Sequence, residues 1–332
     1  MATRKKIVHI CKSDTVGGAA VVTYRLMNAL CQAGHDARLL VLDKRTTDAR
    51  VLSYSSPARD RINFLAERLQ IFVRNGFSRS RLFKVDTASW GADLCNHPWI
   101  KEADVVNINW INQGAMSLSG IQSLASSGKP IVWTMHDMWN CTGICHHAYE
   151  CTRFKENCGK CPYLGGFGRE HDLSSTVQQQ KARLYQHKNL HFVAVSHWLE
   201  ERCRESSIMR HCDVQVVPNA FPIGDFAPEY APHADIPTDK TVLVMGAARL
   251  DDDVKGFPML IAMTEQLSRL PEGKNMHLVL FGDIRDAQLL SKLAIPYTYL
   301  GRVSPRDVSD IYRASHVVLS TSLYETLPGT LI

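Results

Sequence analysis

Short apolar runs alternate with amphipathic stretches along the first two thirds of the chain. Residues 7–11 and 38–42 are apolar enough for buried strands, and apolar positions recur at helical spacing from 21 to 33 between them. The further predicted strands are 104–109, 131–134 and 192–195, and the further predicted helices are 121–126 and 197–205. Strands that alternate with helices predict a parallel sheet covered on both faces by helices.

The alternation stops at 221–239 and then starts again. This segment contains Pro222, Pro228, Pro232 and Pro237 among polar residues, which is typical of a linker between domains. After it, the predicted strands are 241–246, 277–281, 297–301 and 316–320, and the predicted helices are 258–269, 287–293 and 305–314. We therefore predict an α/β fold with one doubly wound domain at 1–220, a linker at 221–239 and a second doubly wound domain at 240–332.

The length of the chain agrees with two domains, and its charge disfavours a nucleic-acid-binding protein. The chain has 332 residues, and single cores stop growing at roughly 250–300 residues. A net charge of +5 is too small and too evenly spread to favour nucleic acid as a partner. The amino terminus lacks the apolar core of a signal peptide, and no apolar run approaches about 18 residues. We expect a cytoplasmic protein whose ten cysteines stay mostly reduced.

The segment from Glu325 to Gly329 has the composition of a binding turn. The strand ending at Ser320 leads into this turn, and the apolar residues after Gly329 can begin a helix. A glycine turn between a parallel strand and a helix N-terminus binds anions through backbone N–H groups. Glu325 beside it is suited to sugar hydroxyls. The alternative is an ordinary turn with a solvated glutamate.

Two cations, Arg249 and Lys255, follow the first strand of the second predicted domain. Ligands of open α/β sheets sit at this edge, and the two side chains together can neutralise a leaving diphosphate without a metal. The alternative is surface charge. Residues 251–253 are three aspartates and suggest an Asp-x-Asp metal motif. Their position between two cations argues against a catalytic metal, which we do not expect.

Together these segments resemble the large retaining glycosyltransferase family of GT-B fold, of the family 4 or group 1 type, which includes bacterial capsule, exopolysaccharide and lipid-glycan enzymes. The segments that carry the resemblance are, in order, Gly17-Gly18-Ala19, Thr134-Met-His136-Asp137, Ala194-Val-Ser196, Val217-Pro-Asn219, Arg249, Lys255-Gly256, Phe281-Gly282-Asp283, Leu300-Gly301-Arg302 and Tyr324-Glu325-Thr-Leu-Pro-Gly329. Their order and spacing are more specific than any one of them.

The resemblance implies two Rossmann-like domains facing a cleft, and transfer of a sugar from a UDP- or GDP-sugar to a glycan or lipid-linked acceptor. It further implies retention of configuration and a role in polysaccharide biosynthesis. Arg249 and Lys255 would bind the diphosphate, Glu325 would bind hydroxyls of the transferred sugar, and His136 would point toward sugar and acceptor. The other residues implied to bind the donor are Gly17, Gly18, Asn219, Gly282, Arg302, Val303, Leu327, Pro328, Gly329 and Thr330.

The resemblance is not complete at the end of the sequence. The family has a second glutamate eight positions after the first, which would be position 333, and further helices beyond it. The second domain is therefore expected to be truncated. Two alternatives remain: a sugar-nucleotide epimerase or phosphorylase on the same fold, and a non-catalytic, zinc-containing interaction protein. A dinucleotide oxidoreductase is disfavoured because Gly17-Gly18-Ala-Ala lacks the Gly-x-Gly-x-x-Gly spacing.

Five of the ten cysteines lie within 141–161. Cys158 and Cys161 have the spacing of a zinc-binding turn, and Cys145 and Cys151 would complete a tetrahedral thiolate site for a structural zinc ion. His146 and His147 are alternative ligands. Packed free thiols, disulfides or an iron–sulfur cluster remain alternatives.

Residues 59–84 form a basic amphipathic segment. Apolar residues are interleaved with seven cations in this range, among them Ile62, Leu65, Leu69, Phe72 and Phe77 with Arg59, Arg61, Arg68, Arg74, Arg79, Arg81 and Lys84. A helix packed on the core with solvated arginines is the ordinary explanation. Peripheral contact with the inner face of the cytoplasmic membrane is the other.

Overall fold

The computed structural model describes residues 3–79, 81–165, 169–226 and 229–332. It divides into two compact units, Met1–Ala220 and Phe221–Ile332. Each unit has its own sheet and its own core.

The first unit is built on a parallel sheet. Its strands are β1 (Lys6–Ser13), β2 (Asp36–Asp43), β3 (Val51–Ser53), β4 (Val105–Ile108), β5 (Ile131–Met135), β6 (Leu190–Ala194) and β7 (Val214–Val216). Its helices are α1 (Gly18–Gln32), α2 (Pro57–Arg74), α3 (Pro98–Glu102), α4 (Leu118–Ser126), α5 (Leu173–Leu184) and α6 (His197–Glu205). Within the described residues the order is β3-β2-β1-β4-β5-β6-β7, and every pairing is parallel. The order reverses between β1 and β4, where ligands bind in such sheets.

The second unit repeats this arrangement on a smaller scale. Its strands are β8 (Thr241–Arg249), β9 (Met276–Asp283), β10 (Tyr297–Tyr299) and β11 (Val317–Val318), and its helices are α7 (Phe257–Ser268) and α8 (Pro305–Arg313). The described strands pair in parallel in the order β10-β9-β8-β11. Leu243 and Leu278 pack on one face of the sheet, whereas Val242 and Val279 pack on the other. Alternate residues of β8 and β9 thus pack on opposite faces of the sheet. The strand order reverses between β8 and β11.

The predicted strands and most predicted helices are confirmed within a few residues, with two differences. The helix predicted at 287–293 is a 3₁₀ helix, Ala287–Lys292, capped by Asp286. The last strand has shrunk to Val317–Val318, and both residues are exposed at the edge of the sheet. At the end of the given sequence, Leu331 N–H bonds to the Pro328 carbonyl, and a helix after Gly329 stays a prediction.

Part of the segment predicted as a linker packs onto the second unit. Ile236 is 4% exposed and lies in the same cluster as Ile311 and Phe281. Ala227 and Pro228 lie outside the described residues. An apolar residue among the prolines explains why this stretch is held against a core.

Helix α2 agrees only in part with the expectation of a core-packing helix with solvated arginines, since Ile71 is buried and Arg59, Arg61 and Arg74 are exposed. Ile62, Leu65 and Leu69 are exposed, as is Phe77 beyond the helix, and Phe72 is half-buried. Arg68 is buried together with Glu67. The core side of this helix therefore carries a charge pair beside Ile71, and the neighbouring segment 82–88 supplies bonding partners for the pair.

No helix in the described part of the chain is both long and apolar enough to span a bilayer.

Candidate active site

The turn between β1 and α1 presents an open helix N-terminus. Gly17 precedes the helix with φ +91°, which favours glycine, and no side chain caps the first turn. A Cβ atom placed on Gly17 or Gly18 would meet nothing within 4 Å. Backbone N–H groups at the start of a 15-residue helix are therefore accessible to an anion.

A ladder of polar side chains crosses the strands next to this turn. His9 on β1 donates from Nδ1 to Asn107 Oδ1 at 2.8 Å, and Asn109 Nδ2 donates to the same oxygen at 2.8 Å. His136, which follows β5, donates from Nε2 to Asn109 Oδ1 at 3.1 Å. Burial lowers the pKa of His136 to about 4, and the charge of Asp137 opposes this shift only partly. His136 is thus a neutral imidazole near pH 7 with Nδ1 unprotonated.

Next to His136, His146 bridges two carboxylates. Its Nδ1 lies 2.8 Å from Asp137 Oδ2, and its Nε2 lies 2.6 Å from Asp86 Oδ2. Burial would lower the pKa of His146, but the charges and hydrogen bonds of Asp137 and Asp86 raise it to about 10. Because both nitrogens face acceptors, the ring is an imidazolium. Trp110 stacks on it at 5.7 Å and donates to Asp137 at 3.0 Å.

Helix α2 supplies the next partners of Asp86. Arg68 donates to Asp86 Oδ1 and lies 3.2 Å from Glu67 Oε2. Glu67 Oε1 in turn accepts the backbone N–H groups of Thr87 and Ala88, both at 2.8 Å. Every charge in this buried network therefore faces an opposite charge or a backbone donor, as buried charges require.

In the second unit, the cation and the carboxylate predicted to bind the donor are in contact. Lys255 Nζ lies 2.5 Å from Glu325 Oε1, although the residues are 70 positions apart. Both side chains are 26% exposed. They lie beyond the carboxyl ends of β8 and β11, where the strand order reverses. This is the edge at which open α/β sheets bind ligands.

Gly256 explains how the two segments approach each other. It has φ +64°, and a Cβ atom there would lie 2.1 Å from the carbonyl oxygen of Thr321. Leu323 N–H bonds to the Val254 carbonyl at 2.8 Å, and the Thr321 hydroxyl bonds to the Lys255 carbonyl at 2.8 Å. A side chain at position 256 would therefore push apart the two segments that these hydrogen bonds join.

Arg249 ends β8 and is held by the aspartates that follow it. Its Nη2 lies 2.6 Å from Asp252 Oδ2, and its Nε lies 3.6 Å from Asp251 Oδ1. Asp251 Oδ2 accepts the backbone N–H groups of Arg285 and Asp286. These carboxylates thus act as turn caps and as partners of Arg249.

The other predicted donor residues lie in four places. Gly282 has φ +122° and touches the backbone of Ala247, which a Cβ atom would approach to 1.7 Å. Arg302 is exposed and pairs with Asp283 at 2.6 Å, and Val303 packs on the core. The remaining residues lie in irregular segments, Asn219 after β7 and Leu327, Pro328, Gly329 and Thr330 after Glu325.

The four cysteines predicted to bind zinc line one cavity. Cys145, Cys151, Cys158 and Cys161 surround it together with Phe154 and other residues. Burial raises the pKa of Cys158 and of Cys161 to about 11. Among the described residues, no three or more Cys, His, Asp or Glu side chains are arranged as a ready coordination sphere.

The structure corrects one alternative for this region and locates its fifth cysteine. His146 cannot replace a thiolate ligand, because both of its nitrogens are engaged by carboxylates. The fifth cysteine, Cys141, lies elsewhere, with its Sγ 3.4 Å from that of buried Cys203. All ten cysteines are free thiols in the structure.

Several residues beside His136 escaped the sequence analysis. Asn107 and Asn109 carried a signal, since two amides interrupt an apolar strand. Asp86 carried none, because it lies in an irregular segment. Lys12 near the end of β1 was also missed, and its ammonium lies 5.6 Å from the Trp110 ring centre.

A sequence profile described as Glycosyltransferase Family 4 matches residues 16–223, more than half of the chain. The chain is 28% identical over 119 residues to the putative colanic acid biosynthesis glycosyl transferase WcaC of Escherichia coli K12. That alignment spans 33% of this chain and only 27% of WcaC.

Solved structures share the fold. Anabaena Alr3699/HepE, solved with UDP and glucose, superposes with a TM-score of 0.54 at 14% identity, over 96% of this chain and 74% of that one. A glycosyltransferase from Rickettsia africae superposes with a TM-score of 0.58 at 15% identity, over 97% and 74%. The α/β fold with parallel sheets is thus that of GT-B glycosyltransferase structures.

Proposed function

Since the chain belongs to Glycosyltransferase Family 4, we propose that it transfers a sugar from a nucleoside-diphosphate sugar to a glycan or lipid-linked acceptor, with retention of configuration. The setting that we propose is polysaccharide biosynthesis at the inner face of the cytoplasmic membrane. The similarity to WcaC supports the polysaccharide setting.

The contact between Lys255 and Glu325 is the observation that carries this proposal. Sugar transfer from a diphosphate needs a cation for the leaving phosphates and an acceptor of hydrogen bonds for the sugar hydroxyls. The two groups lie 2.5 Å apart at the point where the strand order reverses. A donor would replace their mutual contact, the phosphate taking Lys255 and a hydroxyl taking Glu325. Arg249, from the end of β8, would add a second cation.

The proposed reaction breaks the bond between the anomeric carbon and the oxygen of the leaving phosphate. The acceptor hydroxyl oxygen forms the new bond to that carbon on the same face. The acceptor proton passes to the leaving nucleoside diphosphate, so no protein base is consumed. Lys255 and Arg249 stabilise the negative charge that develops on the phosphate, which is the charge that rises toward the transition state.

For two groups of the first unit we propose supporting roles. The N-terminus of α1 behind Gly17 and Gly18 is open to a phosphate. His136 is neutral and donates from Nε2 to Asn109, which leaves Nδ1 as a hydrogen-bond acceptor. We propose that it accepts from a sugar hydroxyl and adds no charge.

We propose a uridine diphosphate sugar as the donor, before guanosine diphosphate sugars, because HepE was solved with UDP and with UDP-glucose. The base would lie at Arg302 and Val303. The remaining contacts would come from Asn219, Gly282 and the backbone of Leu327, Pro328, Gly329 and Thr330. No catalytic metal is part of this proposal, because the cations supply the needed charge.

UDP titration and donor turnover test the proposal. We expect K255M and E325Q to weaken binding of UDP-sugars, and K255M to weaken UDP itself about tenfold or more, as loss of a charged hydrogen bond does. K274M and E272Q, on the exposed 3₁₀ helix Pro271–Asn275, are the matched controls. Equal UDP affinity in K255M and K274M would contradict the site.

Product analysis separates the competing activities. Release of UDP with formation of a glycoside of retained configuration supports transfer. Release of free sugar phosphate or an epimerised donor would instead indicate a phosphorylase or an epimerase. An absence of binding to any nucleotide would favour a non-catalytic interaction protein.

We also propose that Cys145, Cys151, Cys158 and Cys161 hold a structural zinc ion. Their common cavity supports this, since four thiolates form a closed tetrahedral site. The side chains would have to turn toward one centre to ligate it. The loop that contains these cysteines follows His136 and includes His146, so the ion would hold the segment beside His136 in place.

A further inference from the structure

Helix α2 presents an apolar stripe outward. It begins at Pro57 behind the cap Ser56, whose side chain accepts the Arg59 N–H. The exposed fractions along one face are 64% for Ile62, 52% for Leu65, 61% for Leu69 and 43% for Val73. Spacings of three and four residues place these side chains in one row on the helix surface.

The stripe cannot be turned inward, because the opposite face is already committed. Glu67 and Arg68 are buried there, held by Asp86 and by the backbone of Thr87 and Ala88. Ile71 is 1% exposed on the same side. Rotating the helix would expose the apolar Ile71 and leave two charges without partners.

Two more exposed apolar side chains lie in the chain directly after the helix. Phe77 and Phe83 are 67% and 63% exposed. Together with the stripe they define what we call the α2 face: Ile62, Leu65, Leu69, Val73, Phe77 and Phe83. Isolated exposed apolar residues are common, but six within 22 positions form a patch that calls for a partner.

Positive charge borders the α2 face. The exposed charged side chains between 59 and 84 are Arg59, Arg61, Arg74, Arg79, Arg81 and Lys84. The two acids in this range are Asp60, which is half-buried, and Glu67, which is buried. The patch is therefore apolar with a cationic rim.

From this combination we infer that the α2 face docks onto an anionic lipid bilayer. The apolar side chains enter the boundary between headgroups and acyl chains, and the arginines contact anionic headgroups. A second copy of this chain is a poorer partner, since two identical cationic rims would oppose each other.

Docking through α2 would act on the first unit near the candidate site. The inner face of the same helix holds Asp86, and Asp86 holds His146. One helix thus contacts lipid on one side and the network beside His136 on the other. Lipid docking does not depend on sugar transfer, so each can fail without the other.

Vesicle flotation of the full chain tests the inference. We expect flotation with vesicles of equimolar phosphatidylcholine and phosphatidylglycerol, weaker flotation with phosphatidylcholine alone, and weakening by salt. L65S/L69S should lower affinity at least about tenfold. M259S, which removes an exposed apolar side chain of α7, is the control and should float as wild type.

Charge variants test the rim separately. R61Q/R74Q should lower the affinity for anionic vesicles about fivefold per cation. The matched variant R183Q/K188Q, at two exposed positions, should change this affinity little. Arg68 is unsuitable as a probe because it is buried. Tryptophan fluorescence on heating should show that the variants remain folded.

Two results would overturn the inference. One is binding of wild type and L65S/L69S to anionic vesicles with equal affinity, or no binding by either. The other is a wild-type dimer in sedimentation that L65S/L69S converts to monomer, because the α2 face would then be covered by a second copy.

Discussion

At the scale of single residues, Gly256 is the position where backbone geometry bears most directly on the candidate site. Its φ of +64° costs about 1–3 kcal/mol for a residue with a side chain, and a Cβ atom would clash with the Thr321 carbonyl. We expect G256A to lower the unfolding free energy of the second unit by about 2 kcal/mol and to weaken UDP binding. Circular dichroism in urea and titration calorimetry measure these two effects.

The matched control is G224A. Gly224 lies in the 3₁₀ helix Ile223–Asp225, and a Cβ atom there would meet nothing within 4 Å. We expect it to behave as wild type. Equal UDP affinity in both variants would mean that the approach of 253–256 to 321–325 does not shape the site.

Acid sensitivity should arise from His9. Burial lowers its pKa to about 4 from 6.5, although its bond to Asn107 opposes the shift. Between pH 4 and 6.5 the unfolded state binds more protons, so stability is lost as pH falls through this window, at up to about 1.4 kcal/mol per unit. We expect the unfolding free energy of H9Q to fall by about 1–2 kcal/mol less than that of wild type between pH 7 and 5. Burial also lowers the pKa of His136, so part of the pH dependence of stability remains in both proteins.

Tryptophan fluorescence in urea measures this loss, since all six tryptophans lie between 90 and 198, within the first unit. H191Q, which changes an exposed histidine of β6, should keep the full dependence. A pH slope in H9Q as steep as that of wild type would show that His9 takes up no proton on unfolding.

At the scale of elements, the cysteine loop should depend on metal. We expect about one zinc per chain, and C158S/C161S should bring it below about 0.2 per chain and lower the melting temperature, because zinc binding stabilises only the folded loop. C31S/C95S is the control, since neither residue lines the cavity. Elemental analysis and thermal unfolding measure both effects.

The opposite outcome is equally specific. Titration of ten thiols in a folded, metal-free protein would exclude the zinc site. Iron with absorbance in the visible range would instead indicate a cluster.

Helix α2 shows where prediction from sequence stopped at the scale of elements. The spacing of Ile62, Leu65 and Leu69 correctly indicated a helix with one apolar face. It did not indicate which face meets the protein, because that depends on Asp86, which lies 18 positions after Arg68 outside any regular element. Periodicity reports that a face exists, whereas the burial of that face is decided by partners distant in sequence.

At the scale of the whole molecule, strand positions were predictable and contacts between distant segments were not. Strands such as β1 and β9 are buried on both faces, so they appear as continuous apolar runs. The contact of Lys255 with Glu325 joins segments 70 positions apart, and only the family resemblance suggested that both serve one ligand. The resemblance named the residues, and the turn at Gly256 supplies the physical reason for their contact.

The two units should be separable by function. Residues 1–220 contain a complete parallel sheet with its own core, so we expect this fragment to unfold cooperatively when followed by tryptophan fluorescence. It should bind anionic vesicles as the full chain does, because α2 lies within it. It should not bind UDP with the affinity of the full chain, because it lacks Arg249, Lys255 and Glu325.

A gradual, non-cooperative loss of fluorescence would contradict the first expectation. Full UDP affinity in the fragment would move the donor site to the first unit. Calorimetric titration of the fragment and the full chain under one set of conditions makes the comparison direct.

Helix α2 also separates two properties that usually change together. In most helices the apolar residues stabilise the fold, so replacing them with polar residues lowers the stability of the protein. Here the exposed Leu65 and Leu69 add apolar surface and contribute little to the stability of the fold. The buried Glu67 and Arg68 hold the helix in place. Serine or glutamine on the outer row is therefore a route to a form of this protein that resists aggregation and is easier to crystallise, with its architecture left intact.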